Sequence, residues 1–174
     1  MADDQRFAAR RPDVLVFETE VLEEDITLVG EVLAELLVST DAGDADWIVK
    51  LVDVFPADTP DHPHVQAGVH LSNYHMMVRS EVIRGRYRED FSSPKPFEAN
   101  VPTEVPLLLQ DVFHTFKKGH KIQIQIQSTW FPLIDRNPQR YVENIFQAED
   151  SDFIPALHSV YHEGTRIKTR RMQP

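Results

Sequence analysis

The sequence predicts an all-β protein, a two-sheet antiparallel sandwich of jelly-roll type. Two patterns indicate this fold: side chains alternate between apolar and polar over many short segments, and no stretch of ten or more residues has a strong helical period. A third observation is that the links between segments are rich in proline, glycine, aspartate and serine. Short strands joined by such links are typical of stacked antiparallel sheets.

The clearest strand covers residues 120–127, HKIQIQIQ. Successive strand residues point to opposite faces, so its three isoleucines share one face and its three glutamines share the other. We therefore expect a half-buried strand whose glutamine face is in contact with water. The residues concerned are Ile122, Ile124 and Ile126 on one face and Gln123, Gln125 and Gln127 on the other.

Other segments rich in Val, Ile, Leu or aromatic residues also predict strands. One of them, 31–38 (EVLAELLV), has a helix-forming composition as well, but it is short, follows Gly30 and alternates, so we interpret it as strand. The predicted strands cover residues 14–18, 26–30, 31–40, 47–55, 75–79, 82–87, 103–109, 156–162 and 165–169.

These segments predict one β-sandwich domain over residues 1–174, with residues 1–10 as a flexible lead-in. The net charge of −10 argues against a nucleic-acid partner, because phosphate binding needs a basic surface. No apolar run approaches the ~20 residues of a membrane helix, so we expect no membrane partner. The first residues are polar, which is not typical of a secretory signal.

The basic residues form small runs. In 84–88 and 166–171 most of them alternate, which predicts the solvent face of a strand. The absence of cysteine excludes disulfides and thiolate metal sites. It leaves the compartment open, since a secreted, periplasmic or cytoplasmic protein can lack cysteine.

Catalytic and cofactor motifs are absent from the sequence. A nucleophile elbow, G-x-S-x-G, needs two glycines four residues apart, and the six glycines, at 30, 43, 68, 85, 119 and 164, contain no such pair. A phosphate loop and a dinucleotide fingerprint are also missing. The sequence therefore predicts no cofactor and no catalytic residue. Paired carboxylates at 23–24 and 149–150 lie in polar links and are expected in solvent.

Several histidines and aspartates are possible metal ligands by residue type, but we predict no metal site. His62 and His64 lie near Asp58 and Asp61, but this spacing matches no established ligand pattern. Two histidines four apart in a strand, such as those at 158 and 162, are separated by roughly 13 Å. The aspartates at 41, 44 and 46 could bind calcium, but a solvated hairpin turn is the favoured interpretation.

The segment 128–140 (STWFPLIDRNPQR) indicates a surface for another domain, because Trp and Arg are favoured interface anchors. The alternative is that its aromatic residues fill the edge of the sandwich. A carbohydrate-binding jelly roll is a second functional hypothesis, based on aromatic and histidine side chains at 73–77 and 130–131. The candidate interface residues are Trp130, Phe131, Pro132, Asp135, Arg136 and Asn137.

Several strings resemble one family of domains in the same order along the chain. They are RPDVLVFETEVLEEDITLVG, LVST with its acidic turn, DWIVKLVDVFP, IRGRYRED, VFHTFKKGHKIQIQIQSTWFPLIDRNP and HSVYHEG. Together, over about residues 11–168, they resemble the C-terminal domain of the X-prolyl dipeptidyl peptidases, cocaine esterase and their relatives. The variant STWFPLIDRNPQRYVENIF is most similar to α-amino-acid ester hydrolases and glutaryl-7-aminocephalosporanic acid acylases.

This resemblance implies a galactose-binding-like jelly roll that follows an α/β-hydrolase domain and a helical cap. In that family the Ser, Asp and His of the catalytic triad precede the jelly roll, so none of them is carried onto this sequence. The implied partners are the hydrolase and cap domains, against which the jelly roll packs and helps to form the active-site cleft. The resemblance also implies homo-oligomer contacts in some members. It leaves peptidase, ester hydrolase and acylase open as the parent activity.

Overall fold

Two antiparallel sheets make up the fold in a computed structural model, which describes residues 3–172. Sheet A contains four strands in the order β1-β6-β3-β4: β1 (Val14–Glu18), β6 (Lys121–Gln127), β3 (Asp46–Val54) and β4 (His75–Arg84). Sheet B contains β5 (Thr103–Phe116), β2 (Ile26–Thr40) and β7 (His158–Val160), and β8 (Arg166–Arg171) also pairs with β2. The predicted all-β sandwich is confirmed.

The strands differ from the predictions mainly in length. Segments 26–30 and 31–40 form the single strand β2, because an irregularity at Gly30, whose φ is 80°, lets pairing with β5 continue beyond it. Segments 75–79 and 82–87 likewise merge into β4, which ends at a short 3-10 turn, Gly85–Tyr87. Strand β5 extends seven residues beyond the predicted 103–109. The only α-helix among residues 3–172 is one turn, α1 (Arg6–Ala9), so no described helix can span a membrane.

The main core lies between the sheets and consists of their facing aliphatic and aromatic side chains. Leu36 and Val38 from β2 and Val105 from β5 are almost completely buried, and Trp47 and Leu51 of β3 face them. Isoleucines of β6 border the same core, as the alternation of 120–127 predicts. Burial of this apolar surface is the principal stabilising contribution.

The prediction of a water-facing glutamine side on β6 is wrong. Gln123 and Gln125 have no exposed surface, and Gln127 is 4% exposed. The physical reason is that the N-terminal segment and the chain directly after β6 cover the outer face of sheet A. Gln125 donates from Nε2 to the backbone carbonyl of Gln5 over 3.3 Å, and Trp130 also lies buried on this side of the chain.

The N-terminal segment forms one of these covers. Its Gln5 is completely buried, and the Gln5 N–H donates to the His75 carbonyl of β4 over 3.0 Å. Lys50 of β3, also completely buried, donates from Nζ to Oε1 of Gln5 over 2.9 Å. Gln5 and Ala8 of the predicted flexible lead-in are therefore buried at sheet A, whereas residues 1 and 2 lie outside the described part of the chain.

The two basic runs have different environments. Arg166, Lys168 and Arg170 on β8 are exposed, as their alternation predicts. The same prediction is wrong for 84–88, because Arg86 is only 3% exposed and lies in the turn after β4, where the strand has ended.

Candidate functional site

The site with the most distinctive surface is the loop of residues 128–157, which connects β6 to β7. The loop contains two 3-10 turns, Ile145–Gln147 and Asp150–Asp152, and a cis peptide bond between Phe131 and Pro132. It is anchored to sheet A at three places, and its other side carries apolar side chains into solvent.

The first anchor is Trp130, whose side chain is buried with 6% exposure. The Lys50 ammonium lies 4.5 Å from the centroid of the Trp130 ring, so a cation–π contact joins the loop to the centre of β3. Burial lowers the pKa of Lys50 to about 8, with a smaller contribution from the Arg11 charge. Trp130 is therefore buried, but it covers the outer face of sheet A over β3 and does not fill the edge of the sandwich.

The second anchor is Asn137, which is 7% exposed. Its Nδ2 donates to Oδ1 of Asp46, the first residue of β3, over 2.7 Å. Burial raises the pKa of Asp46 to about 6, although the Asn137 hydrogen bond favours the charged form.

The third anchor is Arg86, which forms a buried ion pair with Asp44. Nε of Arg86 donates to Oδ2 of Asp44 over 2.8 Å, and Nη1 donates to the Val142 carbonyl of the loop, also over 2.8 Å. The guanidinium carbon lies 4.5 Å from the centroid of the Tyr141 ring. The predicted solvated turn is therefore wrong for Asp44 and Asp46, which bind an arginine and an asparagine inside the protein. Asp41 is exposed as predicted.

The outer side of the 128–157 loop is unusually apolar. Four large side chains expose more than half of their surface: Phe131 59%, Leu133 55%, Phe146 78% and Leu157 69%. A shallow depression of about 480 Å³ separates the two phenylalanines. Its lining consists of Phe131, Asp135, Arg136, Ile145, Phe146, Asp150 and Phe153.

The structure divides the six predicted interface residues into two groups. Trp130 and Asn137 are buried and hold the loop, whereas Phe131, Pro132, Asp135 and Arg136 lie on the surface. The Arg136 guanidinium is 5.3 Å from the Phe153 ring. The exposed Leu133, Phe146 and Leu157 were not among the candidate interface residues. Leu133 and Phe146 are apolar residues outside any predicted strand, whereas Leu157 lies in the predicted strand 156–162 and was expected to pack there.

The histidine candidates form no metal centre. The rings of His62 and His64 lie 5.1 Å apart, and His70 instead contacts Asp61 through a 2.8 Å hydrogen bond. No group of three or more possible ligands occurs within residues 3–172. The exposed carboxylates at 23–24 and 149–150 are in solvent as expected.

A histidine cluster that the sequence did not predict joins the two sheets. Asp53 of β3, 2% exposed, contacts Nε2 of His114 at 2.8 Å and Nδ1 of His120 at 2.7 Å. His114 belongs to β5 of sheet B, so the carboxylate bridges the two layers. His114 and His120 lie 61 and 67 positions after Asp53 in the sequence, so no local pattern relates them.

The described residues contain no serine–histidine hydrogen bond and no exposed tryptophan. Between positions 3 and 172, no hydrogen bond joins a serine hydroxyl to a histidine ring. Both tryptophans, Trp47 and Trp130, are buried, so neither offers the flat exposed ring expected of a carbohydrate-binding surface. The geometry defines an all-β module whose distinctive feature is an anchored apolar loop.

The comparisons assign this module to a family. Residues 2–169 match the X-Pro dipeptidyl-peptidase C-terminal non-catalytic domain, and the chain belongs to that family. The resemblance found in the sequence is thereby confirmed.

Similar proteins are larger hydrolases. Cocaine esterase of Rhodococcus sp. (strain MB1 Bresler) is 36% identical over 134 residues, which are 77% of this chain and 21% of the esterase. The crystal structure of an aminopeptidase from the marine sediment archaeon Thaumarchaeota archaeon superposes with a TM-score of 0.91 at 42% identity, covering 99% of this chain and 28% of the aminopeptidase. An α-amino acid ester hydrolase has a TM-score of 0.90 and 41% identity, covering 98% of this chain and 27% of that one. The chain thus spans between 21% and 28% of the length of these relatives.

Proposed function

We propose that this chain is the non-catalytic part of a serine hydrolase, and that it packs on the α/β-hydrolase and cap domains through the 128–157 loop. In this role it forms one wall of the active-site cleft and supplies no reacting group. The observation that carries the proposal is the combination of exposed Phe131 and Phe146 with an anchored loop backbone.

Exposed apolar side chains on this loop lower the stability of the isolated chain. Large apolar side chains that remain in water lose the stabilisation that burial gives, about 1.5–3 kcal/mol for each residue of this size. Contiguous patches of such side chains usually mark an interaction surface. A loop anchored by buried hydrogen bonds also loses little conformational freedom on association, which favours binding.

The parent activity that we propose is hydrolysis of α-amino-acid esters or amides. Support comes from the names of two similar structures, an α-amino acid ester hydrolase and an aminopeptidase, which are both more than 40% identical to this chain. Substrate choice would then depend mainly on the other domains, because no serine hydroxyl within residues 3–172 is hydrogen-bonded to a histidine ring.

The test compares the 174-residue chain with the full-length hydrolase from the same gene. The double variant Phe131→Ser/Phe146→Ser should lower the unfolding midpoint of the 174-residue chain only slightly, because both side chains are mostly in solvent. In the full-length enzyme the double variant should weaken the free energy of association between the domains by about 2 kcal/mol or more, as expected for interface anchors. The readouts are the thermal midpoint and kcat/KM for an amino-acid ester.

Phe91→Ser is the matched control, since Phe91 is 82% exposed and lies outside the loop. Phe91→Ser should change neither the thermal midpoint of the two proteins nor kcat/KM of the full-length enzyme. Equal effects of the control and the double variant, or no effect of the double variant on the enzyme, would contradict docking through this loop. Serine-dependent ester hydrolysis by the 174-residue chain alone would contradict the non-catalytic role.

A further inference from the structure

The outer face of sheet B carries an exposed apolar stripe. Phe113 and Leu108 of β5 have 74% and 54% of their surface in solvent, whereas the outer face of sheet A is covered by the N-terminal segment and the chain after β6. Residues directly opposite each other in paired strands point to the same face. The register therefore places Val29 of β2 beside Phe113 and Leu33 of β2 beside Leu108, and these four side chains form the stripe.

Charged side chains flank the stripe, with opposite signs on its two sides. On one side β8 pairs with β2 and exposes Arg166 and Arg170, and on the other side β5 exposes Glu104 and Asp111. Arg166 and Glu104 line the same hollow of about 340 Å³ on this face. None of these four side chains takes part in an ion pair formed within residues 3–172. The face is therefore basic along one edge, acidic along the other edge and apolar between them.

A second copy of the chain matches this charge pattern. Two stacked sheets align their strands within about 30°, and a twofold axis parallel to the strands then places β8 of one copy over β5 of the other. This rotation moves no residue along the strand direction, so Arg166 of one copy lies near Glu104 of the second copy, and Arg170 lies near Asp111. In the registers with β2, each arginine is within about two residues of the acid that it faces, or about 7 Å along a strand. A twofold axis across the strands would instead place β8 over β8, where like charges repel.

The size of the face is sufficient for a weak dimer. Three strands about 4.8 Å apart, over residues 27–37 of β2, give a patch of about 15 Å by 37 Å, or about 550 Å² for each copy. Two copies together bury about 1,100 Å², which is at the low end of specific protein interfaces. We therefore expect a dissociation constant in the micromolar range.

We propose that the chain forms a twofold dimer through the outer face of sheet B, with β8 of each copy over β5 of the other. The apolar stripe forms the centre of this interface and the four charged side chains form its rim, which is the usual arrangement of a protein interface. The dimer does not involve the 128–157 loop, so a failure of loop docking leaves this inference intact.

Charge reversal tests the arrangement by sedimentation equilibrium of the 174-residue chain. Arg166→Glu/Arg170→Glu and Glu104→Arg/Asp111→Arg each place like charges over each other in their own homodimers. Each double variant alone should raise the dissociation constant at least about ten-fold. An equal mixture of the two double variants restores opposite charges on both sides of the interface, so it should form dimers about as tightly as the unchanged chain.

The apolar centre is tested by Phe113→Ser, which should raise the dissociation constant at least about thirty-fold, as expected for an interface anchor. Phe91→Ser is the matched control, because Phe91 is 82% exposed and lies outside sheet B, and it should leave the dissociation constant unchanged. Equal effects of the two phenylalanine variants would overturn the proposal. A chain that remains monomeric up to about 1 mM, or no recovery of dimers in the mixture, would also overturn it.

The same variants in the full-length hydrolase distinguish a second copy from another domain as the occupant of this face. A second copy predicts that each charge-reversal variant of the enzyme loses subunit association and that their mixture regains it. A full-length enzyme whose association state is the same for all variants overturns the proposal. In that enzyme, a lower thermal midpoint of Phe113→Ser would identify another domain of the same chain as the occupant.

Discussion

Asn137 donates a 2.7 Å hydrogen bond to Asp46, and this bond joins the middle of the 128–157 loop to the first residue of β3. Both side chains are buried, so the loop is held by a polar contact inside the protein. The relationship explains how a segment rich in proline and asparagine presents Phe131 and Leu133 in fixed positions. It also makes the stability of the loop anchor sensitive to pH.

The first prediction concerns the protonation of Asp46. Its folded pKa of about 6 is above the ordinary value of 3.8, so the folded state holds a proton that the unfolded state has released between these pH values. The contribution of Asp46 to the free energy of unfolding is therefore full below pH 4 and is lost as the pH rises to 6. The Asp46→Asn variant should lack this loss, which amounts to about 2–3 kcal/mol.

The measurement is the difference in urea unfolding free energy between the variant and the unchanged protein, at pH 4 and at pH 7. A difference is needed because Asp4, Asp13 and Glu18 have lowered pKa values and give the opposite slope in both proteins. The same difference at both pH values would contradict the assignment.

The second prediction concerns the buried pair of Asp44 and Arg86. Removing one partner leaves the other charge buried without compensation, so Arg86→Met should cost about 3–5 kcal/mol. The double variant Asp44→Asn/Arg86→Met should recover part of this loss, since no charge is left unpaired. Lys117→Met serves as the control, because the Lys117–Asp25 pair is exposed. The unfolding midpoint of this variant should equal that of the unchanged protein. Equal thermal unfolding midpoints for Arg86→Met and Lys117→Met would disprove the argument.

The positions of the strands could be predicted from the sequence because alternation is a local property. The segment 14–18 was predicted with its observed bounds, and the others differ mainly where two predicted strands join or a strand continues. The buried face of β6 could not be predicted. It depends on Gln5, which is distant in the sequence, and on Trp130 in the loop after β6. A water-facing glutamine row has the same alternating pattern as a covered one.

The candidate site could be predicted only in part, because its contacts also join residues that are distant in the sequence. Aromatic and arginine residues of the segment 128–140 predict an interface, which stays a prediction, but the sequence does not show that Trp130 turns inward while Phe131 turns outward. That choice follows from Lys50, which is 80 positions away and binds the Trp130 ring. Arg86 and Asp44 are 42 positions apart, so a pattern read within one segment suggested solvent for both.

The third prediction uses the pKa of Lys50, which is lowered from 10.5 to about 8. The folded state loses its proton before the unfolded state does, so the cost of burying the charge disappears as the pH rises from 8 towards 10.5. The unfolding free energy should therefore increase over this range by about 2–3 kcal/mol relative to Lys50→Met, which has no titrating group. Chemical denaturation at pH 7.5 and pH 10 measures the increase. A constant difference would show that Lys50 titrates normally.

The last prediction concerns the turn that places Arg86. A Cβ atom at Gly85 would overlap Cε2 of Phe97 and lie 2.7 Å from the Ala45 carbonyl oxygen, closer than side-chain atoms can approach. Gly85→Ala should therefore displace the turn and lower the unfolding free energy by about 1–3 kcal/mol. Because the Phe97 ring is one of the two obstacles, Gly85→Ala/Phe97→Leu should lose less stability than the sum of the single changes. A thermal denaturation cycle on the four proteins measures this coupling, and strict additivity would mean that the ring is not what excludes the methyl group.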